Sequence, residues 1–212
     1  MKLTRILVLV GMLLISTQAF AKTTCRPTPQ GQLCISQVDF NSFAQNAYQN
    51  QRDSQWCWAA SISMLFNYYD HPVSQQAIVQ SLYGRLVNLP SGPGWNIASR
   101  VNTTWVDGNG KRFTAELTGA YDFDAQVMTL NNQMLVDELD QERPFIVGTR
   151  GHAVVATAIQ YLQTPAGPYI TSIGVFDPWP GRGARGLDPR EMLAMHQGGD
   201  LRFLATVRVT ED

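Results

Sequence analysis

The spacing of apolar residues changes along this chain, and that change limits the fold class more than any other feature. The first part carries helical patterns: apolar side chains lie close to a helical stripe over residues 58–69. Ser74 can cap a second helix that Gly84 ends, and residues 132–139 predict one more. From residue 144 onward, apolar and β-branched runs are bounded by turn residues, which is typical of strands. Helices followed by an antiparallel sheet indicate an α+β fold.

Four strands are predicted in the second part: Pro144 to Thr149, Ala153 to Tyr161, Tyr169 to Phe176 and Leu201 to Val209. Residues 165–168, rich in Pro and Gly, predict a hairpin turn between the middle two. Upstream, we expect a short helix near 97–101 and a strand over 113–117. The range 188–191 has proline at the first helical position and a capping-box glutamate, so a helix begins there.

Composition bounds the class of protein. The chain has 212 residues, of which 44% are hydrophobic and 16% charged, and this suits an ordered globular protein with one good core. The net charge is −1, and no basic patch with interleaved aromatic residues occurs. We therefore expect no nucleic-acid partner.

The first 21 residues have the features of a secretory signal peptide. Lys2 and Arg5 give a positive start, an apolar run follows, and Ala19-Phe20-Ala21 fits a signal-peptidase site. The run from Ile6 to Ser16 is too short to cross a bilayer, which argues against the alternative of a membrane anchor. We expect an exported protein, periplasmic in a bacterium or secreted, that starts at Lys22. Its net charge falls from −1 to −3 because Lys2 and Arg5 are removed.

Export changes the interpretation of the three cysteines. Cys25 and Cys34 flank a segment rich in Pro, Gly and Gln, and in an oxidising compartment such a pair forms a disulfide. The alternative, a metal site, lacks a nearby histidine or further cysteine. We expect residues 22–50 to form an arm pinned by this disulfide and residues 51–212 to form the catalytic domain. Cys57 is then an odd thiol that needs a chemical explanation.

Cys57 lies between Trp56 and Trp58 where the first helical pattern begins. The positive end of the helix dipole and the unpaired backbone N–H groups there favour the thiolate, which is the nucleophilic form. The alternative is a buried structural cysteine packed between two core tryptophans. A histidine and an acid later in the chain favour the catalytic interpretation.

His152 differs from the other histidines. It follows Gly151 and opens an apolar strand, so a rigid element holds its ring and the glycine leaves space beside it. His71 and His196 lie in a loop and at the end of a short helix, and we expect them to be solvated or core residues. No His-x-x-x-His or Cys-x-x-Cys spacing occurs, so neither a metal nor a cofactor is expected.

A cysteine–histidine pair needs a third group that holds the other imidazole nitrogen. No asparagine follows Asn132, so this group must be an acid or another polar side chain. Asp177 is the best placed, because it ends a predicted strand and Pro178 follows it. Helix capping and loops explain the remaining acids of this region: Asp188, Glu191 and Asp200.

These residues resemble the site of papain-like cysteine peptidases. Gln51 lies six residues before Cys57-Trp58, Gly151-His152 begins a strand, and Trp179 follows Asp177 by two positions, as in papain's Asn-Ser-Trp. The layout is closest to compact bacterial members, namely secreted peptidases, host-targeted effector peptidases and bacteriocin-processing domains. The resemblance spans residues 51–179.

The resemblance implies a papain-like fold in which the nucleophile helix packs against the sheet. It also implies that Cys57 is the nucleophile, His152 the general base and acid, and Asp177 the group that orients the imidazole. The Gln51 side chain and the Cys57 backbone N–H would be the oxyanion donors. A second candidate donor and three supporting residues complete the implied set: Gln55, Trp58, Trp179 and Gly151.

The activity that this resemblance implies is hydrolysis of peptide bonds through a thioester acyl-enzyme. The partners would be a protein or peptide substrate and a cognate inhibitor, and the chain would act as a monomer. Two alternatives remain open. One keeps the nucleophile but changes the reaction, as in a transamidase, deamidase or peptidoglycan amidase. The other is a catalytically silent peptide-binding domain, against which the intact set of Gln51, Cys57, His152 and Asp177 argues.

Overall fold

The structure is a computed structural model that describes residues 23–211. The predicted signal peptide lies outside the described residues. Within them, the α-helices are α1 (Phe40–Ser42), α2 (Cys57–Tyr68), α3 (Gln75–Tyr83), α4 (Gly94–Arg100), α5 (Asn132–Asp140) and α6 (Pro189–Met192). A π-helical turn, Phe43–Ala47, follows α1, and a 3-10 turn, Met195–Gln197, follows α6.

Ten strands form one sheet. They are β1 (Thr24–Thr28), β2 (Gly31–Gln37), β3 (Thr103–Val106), β4 (Arg112–Asp122), β5 (Val127–Met128), β6 (Phe145–Thr149), β7 (His152–Thr164), β8 (Gly167–Asp177), β9 (Gly183–Gly186) and β10 (Phe203–Glu211). The main order is β1-β2-β7-β6-β10-β4-β3, and these neighbours pair antiparallel. In addition, β8 pairs with β7 and β9, and β5 pairs with β4. The α+β fold class is confirmed.

Helix α2 is the buried centre of the molecule, because its residues 58–66 are all buried. Most of its apolar side chains pack with α3, α4 and the sheet strands β4, β6 and β10, in one hydrophobic cluster. Phe66, for example, meets the edge of Phe113 of β4 with ring centroids 5.1 Å apart. Met64 lies instead in a second cluster, which includes α5 with β2, β7 and β8. A helix buried on all sides is fixed precisely, and so is the residue at its N-terminus.

The predicted helices near 58–69, 74–83 and 132–139 are confirmed as α2, α3 and α5. Ser74 caps α3 through the Ala77 N–H, and Gly84 ends it in the left-handed conformation. The four predicted strands are also confirmed, as β6, β7, β8 and β10. Residues 165 and 166 form the turn between β7 and β8.

The expected helix near 97–101 begins earlier, at Gly94. A Cβ on Gly94 would lie 2.5 Å from both Asp122 Oδ2 and the Phe203 ring, so only glycine fits at this close approach. The strand predicted over 113–117 extends through Gly119 to Asp122. A Cβ on Gly119 would lie 2.5 Å from Leu130, so this glycine accommodates a neighbouring side chain and does not end the strand.

The structure contains the disulfide between Cys25 and Cys34. The two residues face each other in the register of β1 and β2, which form a hairpin. Strand β2 also pairs with β7 over 158–163, so this hairpin extends the sheet that carries the rest of the fold.

Candidate active site

Cys57 is the first residue of α2. The first intrahelical hydrogen bond runs from the Ala60 N–H to the Trp56 carbonyl, so the helix itself does not use the Cys57 N–H. The thiol is free and partly exposed. A cysteine in this position has the positive end of the helix dipole beside its sulfur and an adjacent N–H donor.

The two flanking tryptophans hold a loop against the start of α2. Trp56 and Trp58 are 6% and 1% exposed, and their indole N–H groups donate to the backbone carbonyls of Val87 and Leu89. Both rings are therefore core residues with a satisfied polar atom. They fix the loop that forms one wall of a cleft beside Cys57.

His152 is the first residue of β7, directly after the two-residue turn Arg150–Gly151. Gly151 has a φ of +79°, and nothing lies within 4 Å of the position that its Cβ would take. The turn therefore needs glycine because it requires a positive φ. The sequence suggested a different reason, namely that glycine leaves space beside the imidazole ring. The strand and the turn together leave His152 partly buried beside Cys57.

Asp177 ends β8 with its side chain fully buried. Its Oδ1 lies 2.7 Å from His152 Nε2 and accepts the Trp179 backbone N–H at 2.9 Å. Its Oδ2 accepts from Arg185 Nε at 2.8 Å. Because Nε2 of the imidazole meets Asp177, Nδ1 is the nitrogen left for Cys57. The aromatic ring of Trp179 meets the imidazole edge-on, with centroids 6.5 Å apart.

The charges of this site support one another. Burial alone would raise the pKa of Asp177, but the hydrogen bonds from His152, the Trp179 N–H and Arg185 hold that pKa well below its usual range. Burial alone would lower the pKa of His152. The hydrogen bonds to Asp177 and Cys57 outweigh it and raise the pKa of His152 to about 9. The imidazole is therefore protonated at neutral pH, and it is held between the Cys57 sulfur and the Asp177 carboxylate.

Gln51 is buried, and it links the loop before Cys57 to the segment after Asp177. Its backbone N–H donates to the Pro178 carbonyl at 2.7 Å, and its amide nitrogen donates to the carbonyls of Asp53 and Ser54 at 2.9 Å. Both amide hydrogens thus brace the loop that leads to Cys57. Gln55, in contrast, is exposed, and its backbone N–H donates to the Asn88 side chain.

Arg185 and Glu191 belong to the site as well, although the sequence did not single out Arg185. The guanidinium donates to both carboxylate oxygens of Glu191, at 2.6 and 2.9 Å. Glu191 also accepts the Asp188 N–H in the predicted capping box, so the capping interpretation is correct but accounts for only part of its contacts. No local pattern marks Arg185, because it meets Asp177 only through the pairing of β9 with β8.

Two pockets meet at His152. The first, of about 600 Å³, is lined by Cys57 and His152, by the loop 90–94 and by Phe203 at the start of β10. The second, of about 410 Å³, lies beyond His152 and is lined by Trp179, Arg182, Glu191 and Asp200 among others. The sulfur of Cys57 lies in the first pocket and His152 lines both, so the space for a chain-like ligand continues past the imidazole.

The other histidines lie outside this site. His71 is buried, with Nδ1 3.1 Å from Asp107 Oδ2 and its ring stacked on Phe113 at 4.3 Å, so it is a satisfied core residue. His196 is exposed in the 3-10 turn. Within residues 23–211, no group of three His, Cys, Asp or Glu side chains is arranged to hold a metal ion. No helix in the described part of the chain is long and apolar enough to span a membrane.

Comparison with known proteins gives a family match and similar solved structures. The model of the Peptidase_C39 like family matches residues 43–194, which include every candidate residue from Gln51 to Glu191. Among curated proteins none matches the chain. One similar solved structure is a double glycine motif protease from an AMS/PCAT transporter in complex with the leader peptide. It is 16% identical with a TM-score of 0.44, and the match covers 82% of this chain and 99% of that one. Another is UfSP from C. elegans. It is 15% identical with a TM-score of 0.47, and the match covers 89% of this chain and 37% of that one.

Proposed function

This chain belongs to the Peptidase_C39 like family and is a papain-like cysteine hydrolase, and we propose that it is an exported endopeptidase that cleaves peptide bonds through Cys57, His152 and Asp177. One observation carries the proposal. His152 is held between a partly exposed thiol at a helix N-terminus and a fully buried carboxylate. The nucleophile, its base and the group that orients the base are thus in contact in the required order.

The reaction follows from these contacts. The Cys57 thiolate attacks the peptide carbonyl, and a tetrahedral intermediate forms with its negative charge on oxygen. The Cys57 backbone N–H stabilises this oxyanion. The Gln51 amide joins it when one of its N–H bonds turns from the carbonyl of Asp53 or Ser54 to the substrate, since catalytic hydrogen bonds often align only in the complex.

The imidazolium of His152 then donates its Nδ1 proton to the leaving amine, the C–N bond breaks, and a thioester remains on Cys57. Neutral His152 next takes a proton from water, whose oxygen attacks the thioester carbonyl. Breakage of the C–S bond releases the carboxylic acid and restores the thiolate–imidazolium pair. Throughout both steps Asp177 keeps the ring in one orientation and stabilises its positive charge.

Two further observations support the remaining parts of the proposal. Pockets on both sides of His152 suit a peptide that continues past the cleaved bond in both directions, as in an endopeptidase. The Cys25–Cys34 disulfide suits the oxidising compartment to which the sequence of the first 21 residues directs the chain. The protein substrate would therefore be met in the periplasm or outside the cell.

The test is mass spectrometry of a denatured protein mixture after incubation with the chain from Lys22 onward. The Cys57→Ala variant is the control, because it removes only the sulfur from a partly exposed position. We expect new peptide termini with the wild type and none with the variant. Conversion of Gln to Glu, or new amide cross-links, would identify a deamidase or a transamidase. An unchanged mixture would contradict peptidase activity.

A further inference from the structure

Arg185 connects the buried acid of the site to a second carboxylate. Its Nε donates to Asp177 Oδ2 at 2.8 Å, and its terminal nitrogens bind both oxygens of Glu191 at 2.6 and 2.9 Å. The side chains of Arg185 and Glu191 are only 19% and 16% exposed. Charges this far from solvent are weakly screened, so each influences the next along the line.

The charges along this line alternate in sign. Outward from the imidazolium of His152 they are the carboxylate of Asp177, the guanidinium of Arg185 and the carboxylate of Glu191. Arg185 alone would oppose the imidazolium, because its positive charge offsets the negative charge of Asp177. Glu191 cancels that opposition. The pair can therefore hold the acid in place without weakening its support of the imidazolium.

We propose that Arg185 and Glu191 are positioning residues that act as one unit: Arg185 fixes the Asp177 carboxylate, and Glu191 neutralises Arg185 so that His152 keeps its proton beside Cys57. This inference rests on the roles proposed above for Cys57, His152 and Asp177. It assigns Glu191 a second task besides the helix cap, and that task depends on its charge.

The two tasks of Glu191 are separable. Its Oε2 accepts the Asp188 N–H at 2.9 Å, and the oxygen of a glutamine at position 191 can do the same. Glu191→Gln therefore keeps the cap and the size of the side chain while it removes the charge. Arg185→Gln removes the opposite charge.

Other titratable or charged groups face His152 and stay unchanged in these variants. They are Cys57 on α2, Asp177 at the end of β8, Arg182 with its guanidinium 3.6 Å from Asp177, Arg150 and Asp200 across the second pocket, and Asp122, Asp124 and Arg202 in the first pocket. A change in the titration of His152 thus reports the substituted pair alone.

The experiment is a pH titration of the imidazole nitrogens by NMR in the full mature chain. The chain has three histidines, and the signal that is lost in His152→Gln identifies His152. We expect Glu191→Gln to lower the pKa of His152 by about 0.5 or more, because the charge of Arg185 is no longer balanced. Arg185→Gln should raise it, and the double variant should return it towards the wild-type value.

A matched control exists elsewhere in the molecule. Arg143 also binds both carboxylate oxygens of Glu138, through Nε and one terminal nitrogen at 2.7 and 2.9 Å, with side chains 18% and 13% exposed. Glu138→Gln breaks that pair away from both pockets, so it should leave the titration of His152 unchanged. Glu191→Asp, which retains the charge, should restore most of the wild-type value.

An unchanged pKa of His152 in Glu191→Gln would overturn the proposal, as would an equal decrease in Glu138→Gln. If Arg185→Gln does not fold, the pKa of His152 in Glu191→Gln and Glu191→Asp still tests the proposal. Alkylation of Cys57 by iodoacetamide is measured in parallel. If Cys57 reacts but the pKa of His152 does not change in the variants, only the role proposed for Arg185 and Glu191 is contradicted. If Cys57 does not react but the pKa of His152 changes as expected, the proposed function is contradicted and the role of Arg185 and Glu191 is supported.

Discussion

Substitution of Asp177 tests the proposed triad most directly, because all of its contacts are known. In Asp177→Asn the side-chain oxygen can still accept from His152 Nε2 and from the Trp179 N–H. The amide nitrogen then faces Arg185 Nε, so two donors meet where a carboxylate oxygen accepted. His152 keeps this hydrogen bond, but a neutral oxygen replaces the charged acceptor of a bond that is worth about 1.5–3 kcal/mol. We therefore expect kcat/KM to fall by up to roughly 150-fold.

Asp177→Ala should be more severe. It removes both oxygens, so His152 loses its orientation, and a displaced ring adds a loss of about 10²-fold. It also leaves Arg185 without its buried partner, and breaking such a pair costs about 3–5 kcal/mol of folding stability. Urea unfolding must therefore accompany the kinetics, so that activity is compared only among folded proteins.

Asp200→Ala is the control for position and charge. Asp200 lines the second pocket beside His152, but it pairs with the exposed Arg150 and Arg190 at 3.5 and 3.4 Å. Exposed pairs of this kind contribute about 0–1 kcal/mol, so turnover should stay within a few-fold. Asp188→Ala, which removes a helix cap, should cost about 1 kcal/mol of stability with little effect on turnover. Full activity in Asp177→Ala, or collapse in a folded Asp200→Ala, would refute the assignment of the acid.

Three further predictions follow from the site and the fold. Iodoacetamide should alkylate Cys57 rapidly in the folded protein; peptide mapping checks this, and an unmodified Cys57 would contradict its role as nucleophile. Because the pKa of His152 is raised in the folded protein, protonated His152 contributes stability that is fully present below pH 6.5 and is lost as the pH rises through about 9. Both the urea midpoint and kcat/KM should therefore decrease across that range. Gly151→Ala should cost about 1–2 kcal/mol, because an L-residue at a φ of +79° is strained, and a midpoint equal to that of the wild type would show that the turn relaxes.

The positions of Cys57 and His152 were predictable because their signals are local. Cys57 lies at the boundary between a loop and a long apolar helix, and His152 at the boundary between a glycine turn and an apolar strand. Each boundary can be read from about ten residues of sequence. The prediction of Asp177 needed one further observation, namely that no asparagine follows Asn132 in the sequence. The geometry shows its contact with His152.

Strands β1 and β2 were not predicted as part of the sheet, for a physical reason. The buried positions of β2 are Cys34 and Ser36, whereas Ile35 between them is only partly buried. The usual alternation of apolar and polar residues is therefore obscured along this strand. Ser36 is buried because its hydroxyl donates to Asp140 of α5 at 2.7 Å. Only the tertiary structure supplies that partner.

The same reasoning explains why Arg185 and Glu191 escaped prediction. The capping box fully accounted for Glu191 at the level of sequence, so no unexplained charge was left to interpret. Arg185 lies on a four-residue strand with neither an apolar pattern nor a motif. Its importance comes from the register of β8 and β9, which places Asp177 opposite Gly183 and so brings the following arginine within 2.8 Å of a buried carboxylate. Glu191 reaches His152 through Arg185 and Asp177 and also across the second pocket, and none of these contacts has a local signature in the sequence. Its effect on His152 can be found only by following the contacts outward from Cys57.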